Sequence, residues 1–150
     1  MFDLQDLYQD IVMDHNRRPR NFGILNDATF TADGFNPLCG DQIKLYLKVE
    51  DNIVTNVAFD GVGCAISKSS ASMMTDSIKG MTLEKVDGVF NAFRSMITRR
   101  HEDDYDPEIL GDLEILQGVS RYPARIKCAT LSWHTLRAAL TQSEDTITTE

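Results

Sequence analysis

The sequence is short of the residues that would mark a secreted, membrane-bound or nucleic-acid-binding protein. Three cysteines cannot all pair within one chain, so a disulfide framework is excluded and the thiols are left for packing, metal ligation or chemistry. Positive charge is scarce: 15 Lys and Arg stand against 23 Asp and Glu, a formal charge of −8. That imbalance repels nucleic acid and anionic membrane at long range, so neither is expected as a partner. No apolar run reaches the length of a membrane span, and the first helix carries Asp3, Asp6, Asp10 and Asp14, the wrong sign for a targeting signal. A cytoplasmic location is therefore expected. GxGxxG, P-loop, HExxH and GxSxG patterns are missing too, which removes the obvious nucleotide, zincin and hydrolase readings.

What is present describes one ordinary globular domain over residues 1–150, with 42% hydrophobic and 25% charged residues and a polar tail at 141–150 that is expected to fray. A chain of this length buries about 68–70% of its unfolded surface, enough for a core without staples. Leu4, Leu7, Tyr8, Ile11 and Val12 recur at helical spacing and predict a first helix to about His15. Arg17, Arg18 and Arg20 then form the one basic cluster of the first half, either a solvated loop or a docking patch for an acidic partner. From Ile43 the period becomes two. Ile43, Leu45, Leu47 and Val49 alternate, Asp51-Asn52 turns, and Ile53, Thr55, Val57 and Phe59 alternate again, which predicts a hairpin; another strand is expected between Ala28 and Asp33. Helical stripes follow at 66–78, 83–97 and 131–140, with a short helix from Asp106-Pro107 to about Leu116. The patterns add up to a small antiparallel sheet and several helices.

All three cysteines fall at element boundaries, where a packing cysteine is seldom found: Cys39 before the hairpin, Cys64 before a helix, Cys128 near the start of the last one. Glycines at 40, 61 and 63 let these loops converge, and helix N-termini favour thiolate. Cys39-Gly40-Asp41 sets a carboxylate two residues from a thiol. Cys39, Asp41, Cys64 and Cys128 thus offer three sulfurs and one oxygen, a set that suits tetrahedral zinc, with a formal charge of about −2 once the ion is counted. Spacing alone leaves a metal site and three unremarkable thiols evenly balanced, because no CxxC pair occurs. Arg125 and Lys127, beside Cys128, either offset that charge and steer an anionic sulfur donor or are ordinary surface charge. His15, His101 and His134 read as structural.

Asn36-Pro37-Leu38-Cys39-Gly40-Asp41, Gly61-Val62-Gly63-Cys64-Ala65-Ile66-Ser67 and Ala124-Arg125-Ile126-Lys127-Cys128-Ala129-Thr130-Leu131-Ser132-Trp133 together resemble the U-type iron–sulfur assembly proteins, the IscU/NifU N-terminal family. Two departures from its scaffold branch, Lys127 where those members carry a histidine and extra length around 93–112, make the chain similar to the SufU branch. The resemblance implies an α+β fold, a small antiparallel sheet covered by helices. It implies zinc held by Cys39, Asp41, Cys64 and Cys128, and sulfur accepted at Cys39 from a SufS-type, PLP-dependent cysteine desulfurase, with downstream cluster-assembly proteins as further partners. Arg125 would then guide the persulfide. On this reading the chain is the sulfurtransferase-like partner of an enzyme, with no turnover on its own. Two alternatives stand beside it: a scaffold holding iron or a [2Fe–2S] cluster on the same ligands, and a structural zinc module that only binds partners.

Overall fold

A computed structural model describes residues 10–98, 105–141 and 147–148. Leu4, Leu7 and Tyr8 of the expected first helix, His101, most of the acidic connection and most of the polar tail lie outside the described residues. The elements run α1 (Asp10–Arg17), β1 (Phe30–Asn36), β2 (Asp41–Glu50), β3 (Ile53–Val62), α2 (Ala65–Ile78), α3 (Leu83–Thr98), α4 (Pro107–Leu110), a 3-10 helix (Gly111–Arg121), α5 (Pro123–Leu140) and β4 (Ile147–Thr148).

The alternating segment folds as the expected hairpin of β2 and β3, closed by Asp51 and Asn52, both at positive φ (50° and 64°) as a two-residue turn between right-twisted strands requires. One detail of the alternation is corrected. Lys48 and Val49 are adjacent on β2 yet pair with Asn56 and Val54, so Thr55 is an extra residue in a bulge. The bulge exchanges the faces of β3: Val57 and Phe59 point inward beyond it, while before it Val54 is buried and Thr55 is exposed.

β1 is the second departure. It begins at Phe30 and continues past Asp33 to Asn36, pairing antiparallel with β2 from Phe30↔Leu47 to Asn36↔Asp41. Residues 37–40 are thereby the turn of a second hairpin, and Cys39 sits at its tip. The sheet order is β3-β2-β1-β4, the two-residue β4 adding a short parallel pairing at Gly34 and Phe35 to three antiparallel strands.

α5 lies across β1 and β2, α2 packs between α5 and α1, and α3 packs against the 3-10 helix. Thr82 begins α3 by accepting from Lys85 N–H, and Asp106 caps α4 through Glu108 N–H, both as the sequence predicts. The helix expected to reach Leu116 instead stops at Leu110 and continues as the 3-10 segment. Leu113, Leu116 and Val119, all buried, are spaced by three, the period at which one face of a 3-10 helix recurs. Trp133 stacks on Phe93 at 4.4 Å between ring centroids, deep in the core. No helix among the described residues is long and apolar enough to cross a membrane.

Candidate metal centre

Three segments meet at one end of the sheet. The β1–β2 turn carries Cys39, which is exposed, with Asp41, fully buried, one residue beyond Gly40. Gly40, at φ 74°, makes the turn without a Cβ clash. α5 brings Cys128, buried, so that its sulfur lies 3.5 Å from Cys39 Sγ. The donor atoms of Cys39, Asp41 and Cys128 all fall within 4.8 Å of one another.

Cys64 approaches from α2. It is the N-cap residue of that helix, with extended backbone, and its sulfur accepts from Ser67 N–H at 3.5 Å. Its own N–H donates to Asp41 Oδ1 at 2.9 Å. Gly63 permits this approach: a Cβ there would come within 2.9 Å of the same oxygen. Cys64 thus adjoins the Cys39–Asp41–Cys128 group without entering it, and touches it through that hydrogen bond from its N–H to Asp41.

The Cys64 and Cys128 thiols are shifted in opposite directions. The neighbouring Cys128, reinforced by Ser67 N–H, brings the Cys64 thiol down to about 6, against the opposing effect of burial. The neighbouring Cys64, together with burial, pushes the Cys128 thiol up. Three sulfurs, with their thiol protons, and a carboxylate thus lie close together. A dication displacing those protons would meet soft sulfur and hard oxygen donors in the proportion zinc accepts, and the donor set fits it.

The other candidate residues lie elsewhere. Arg125, half-buried in the first turn of α5, stands three residues before Cys128 and so on the same side of that helix. Arg18 and Arg20 both bond the carboxylate of Asp14, at 2.9 and 2.7 Å, so much of the basic cluster is spent inside the chain, while Arg17 is exposed. The Arg20 bond also holds the Asp14 carboxyl below its ordinary range. His15 Nδ1 meets Ser72 Oγ at 2.7 Å, and His134 lies edge-on to Phe90; burial lowers the pKa of both imidazoles. Among the described residues no histidine joins the donor group.

Sequence reasoning gave no role to Asn36. Its side chain is fully buried, and Nδ2 donates to Asp41 Oδ2 at 3.0 Å and to Cys128 Sγ at 3.6 Å. The available signal was an asparagine at the end of a strand beside the Cys39 turn, which by itself also reads as turn chemistry.

Comparison with known proteins places this geometry. A NifU-like N-terminal domain profile matches residues 7–129. The chain belongs to the IscU/NifU N-terminal family. It is 47% identical over 143 residues to the zinc-dependent sulfurtransferase SufU of Bacillus subtilis, covering 95% of each chain. It is 37% identical over 134 residues to the iron–sulfur cluster assembly scaffold protein IscU of Thermotoga maritima, covering 89% of this chain and 92% of that one. A crystal structure of a SUF-system assembly protein from Fervidobacterium islandicum superposes with a TM-score of 0.85 at 30% identity, over 92% of this chain and 99% of the other. Three antiparallel strands covered by helices are thus the shared fold of this IscU/NifU family member, as the sequence implied.

Proposed function

We propose that the protein is a zinc-dependent sulfur acceptor that takes persulfide sulfur from a SufS-type, PLP-dependent cysteine desulfurase in the cytoplasm and passes it on to downstream cluster-assembly proteins. The observation that carries this reading is the contrast at the centre: Cys39 is exposed at a hairpin tip, with its sulfur 3.5 Å from the buried Cys128. A partner can reach the first of these sulfurs without disturbing the second. The name of the Bacillus subtilis relative, a zinc-dependent sulfurtransferase, supports the same assignment.

Cys39, Asp41, Cys64 and Cys128 would hold the zinc, whose Lewis acidity keeps bound sulfurs deprotonated at neutral pH. The transfer is a thiolate exchange. Cys39 Sγ, as thiolate, attacks the terminal sulfur of the partner's cysteine persulfide; a new sulfur–sulfur bond forms at Cys39, the partner's bond breaks, and its cysteine leaves as thiolate. Two electrons move from Cys39 into the new bond and two leave with the partner's sulfur, so no external oxidant is needed. Arg125, on the Cys128 side of α5, would guide the incoming anion.

Mass spectrometry of the zinc-loaded chain incubated with its desulfurase and cysteine tests the reading. The expected result is one added sulfur on Cys39 and faster desulfurase turnover, both lost in Cys39→Ser. Full stimulation by Cys39→Ser overturns it. Iron with visible absorbance in the purified protein would favour the scaffold reading, and equal dependence of folding on all four ligands, without effect on turnover, the structural zinc module.

A further inference from the structure

The Asp41 carboxylate is gripped from two directions. Cys64 N–H, at the head of α2, holds Oδ1, and Asn36 Nδ2, at the end of β1, holds Oδ2. The second hydrogen of the same amide points at Cys128 Sγ at 3.6 Å, an ordinary length for a bond to sulfur. Asn36 Oδ1 accepts Leu38 N–H at 3.3 Å, which ties the amide to the turn bearing Cys39. These partners fix the orientation of the amide. The Asp41 carboxylate only accepts and Leu38 N–H only donates, so exchanging the oxygen and nitrogen of Asn36 would spoil both of those contacts.

A fully buried amide whose polar atoms all serve the donor group has a role beyond closing a turn. Each oxygen of Asp41 already carries one hydrogen bond, so each keeps one lone pair for an ion. The two N–H dipoles also offset anionic charge at the buried side of the centre, where an isolated charge would be costly. Cys39 is held differently. It is exposed, and the one side-chain bond it makes in the donor group is the thiol contact from Cys128.

We propose that Asn36 is a positioning residue of the centre: it fixes the Asp41 carboxylate and the Cys128 sulfur as the retained side of the donor set, leaving Cys39 as the donor that can depart. The proposal rests on the assignment of Cys39, Asp41, Cys64 and Cys128 as metal ligands. It makes the centre asymmetric by construction, since the amide bonds two of the four donors, Asp41 and Cys128, and bypasses Cys39.

Zinc affinity measured by competition with a chromophoric chelator, on the full chain, tests it. Asn36→Leu, close to the same shape without donors, and Asn36→Asp, which keeps the acceptor for Leu38 N–H, are both expected to weaken zinc binding by about 10–100-fold, the range for partners that orient metal ligands. Loaded with cobalt, the two variants should show weaker ligand-field bands than wild type, as a carboxylate released from Asn36 becomes free to bind through both oxygens. The double variant Asn36→Leu/Asp41→Asn should lose far less than the product of the single losses, because the two residues act as one unit. Additive losses, or unchanged affinity and spectrum in chains that fold, overturn the proposal. Should the variants fail to fold, wild-type protein loaded with NMR-active cadmium still decides: a scalar coupling between an Asn36 side-chain amide proton and the metal nucleus, carried through Cys128 Sγ, is expected, and its absence is the overturning result. A wild-type chain that binds no metal would instead refute the ligand assignment itself.

Discussion

Helix α2 has a polar cluster at its head and another along its flank, and the two are built on opposite terms. On the flank, Ser72 Oγ accepts Arg20 N–H and meets His15 Nδ1, both at 2.7 Å. Ser72 Oγ thereby ties the backbone of Arg20 and the ring of His15 to α2. Beside it Asn21 Nδ2 donates to Thr75 Oγ1, and Ser69 Oγ donates to Val12 O. These donors meet acceptors, and the cluster seams α1 and the following loop to α2. At the head, Cys39, Asp41 and Cys128 bring their donor atoms together, with the Cys128 thiol turned to Cys39 Sγ and Cys64 alongside. A polar cluster that satisfies itself is structural, whereas one whose donor atoms outnumber its protons' uses is prepared for something from outside.

The sharpest way to break that comparison is to remove one atom from the head. Cys39→Ser should abolish sulfur acceptance while leaving the metal-free chain within about 0.5 kcal/mol of wild type in a urea melt, since the residue is exposed. Next comes the metal. With zinc at about a thousand times its dissociation constant, ligation adds about 4 kcal/mol, so chelation should lower the melting midpoint by roughly 8–16 °C. The flank should answer otherwise: Ser72→Ala strands the buried His15 and the half-buried Arg20 N–H and should cost about 1–3 kcal/mol in the same melt, with zinc affinity unchanged. The smallest effect is a pH slope. Burial holds His15 below its ordinary 6.5, so its contribution is complete above that pH and is lost as the pH falls and the unfolded chain takes up the proton first. His15→Gln should therefore flatten the decline in stability between roughly pH 7 and 5, followed by urea midpoints.

How much of this was legible in the sequence depended on whether residue identity or neighbouring strands decide the outcome. Cys39, Asp41 and Cys64 stand out as candidates by their chemistry and by sitting beside glycines, Cys128 by its chemistry alone, and the structure brings Cys39, Asp41 and Cys128 into one group with Cys64 alongside. The hairpin was legible because alternation is local. Its bulge was not: Thr55 is no different in type from a paired residue, and only the register against Lys48 and Val49 makes it extra. β1 was underestimated for a related reason, since Gly34 and Asn36 have little strand preference and are held extended by their pairing with Ile43 and Asp41. Asn36 shares that blind spot. Its importance lies in what it touches 5 and 92 positions away, which no local pattern encodes.

That separation has a consequence for how the protein comes into being. Cys39 and Cys128 lie 89 positions apart, and the first belongs to a hairpin while the second waits on the last long helix of the chain. Closing so long a loop is repaid only after the sheet and α5 have docked. A growing or half-assembled chain therefore offers Cys39 without its Cys128 neighbour, and the donor group is complete only once folding is. On the proposed assignment, an occupied centre would be a certificate of completed folding, legible to any partner that reaches for the hairpin tip.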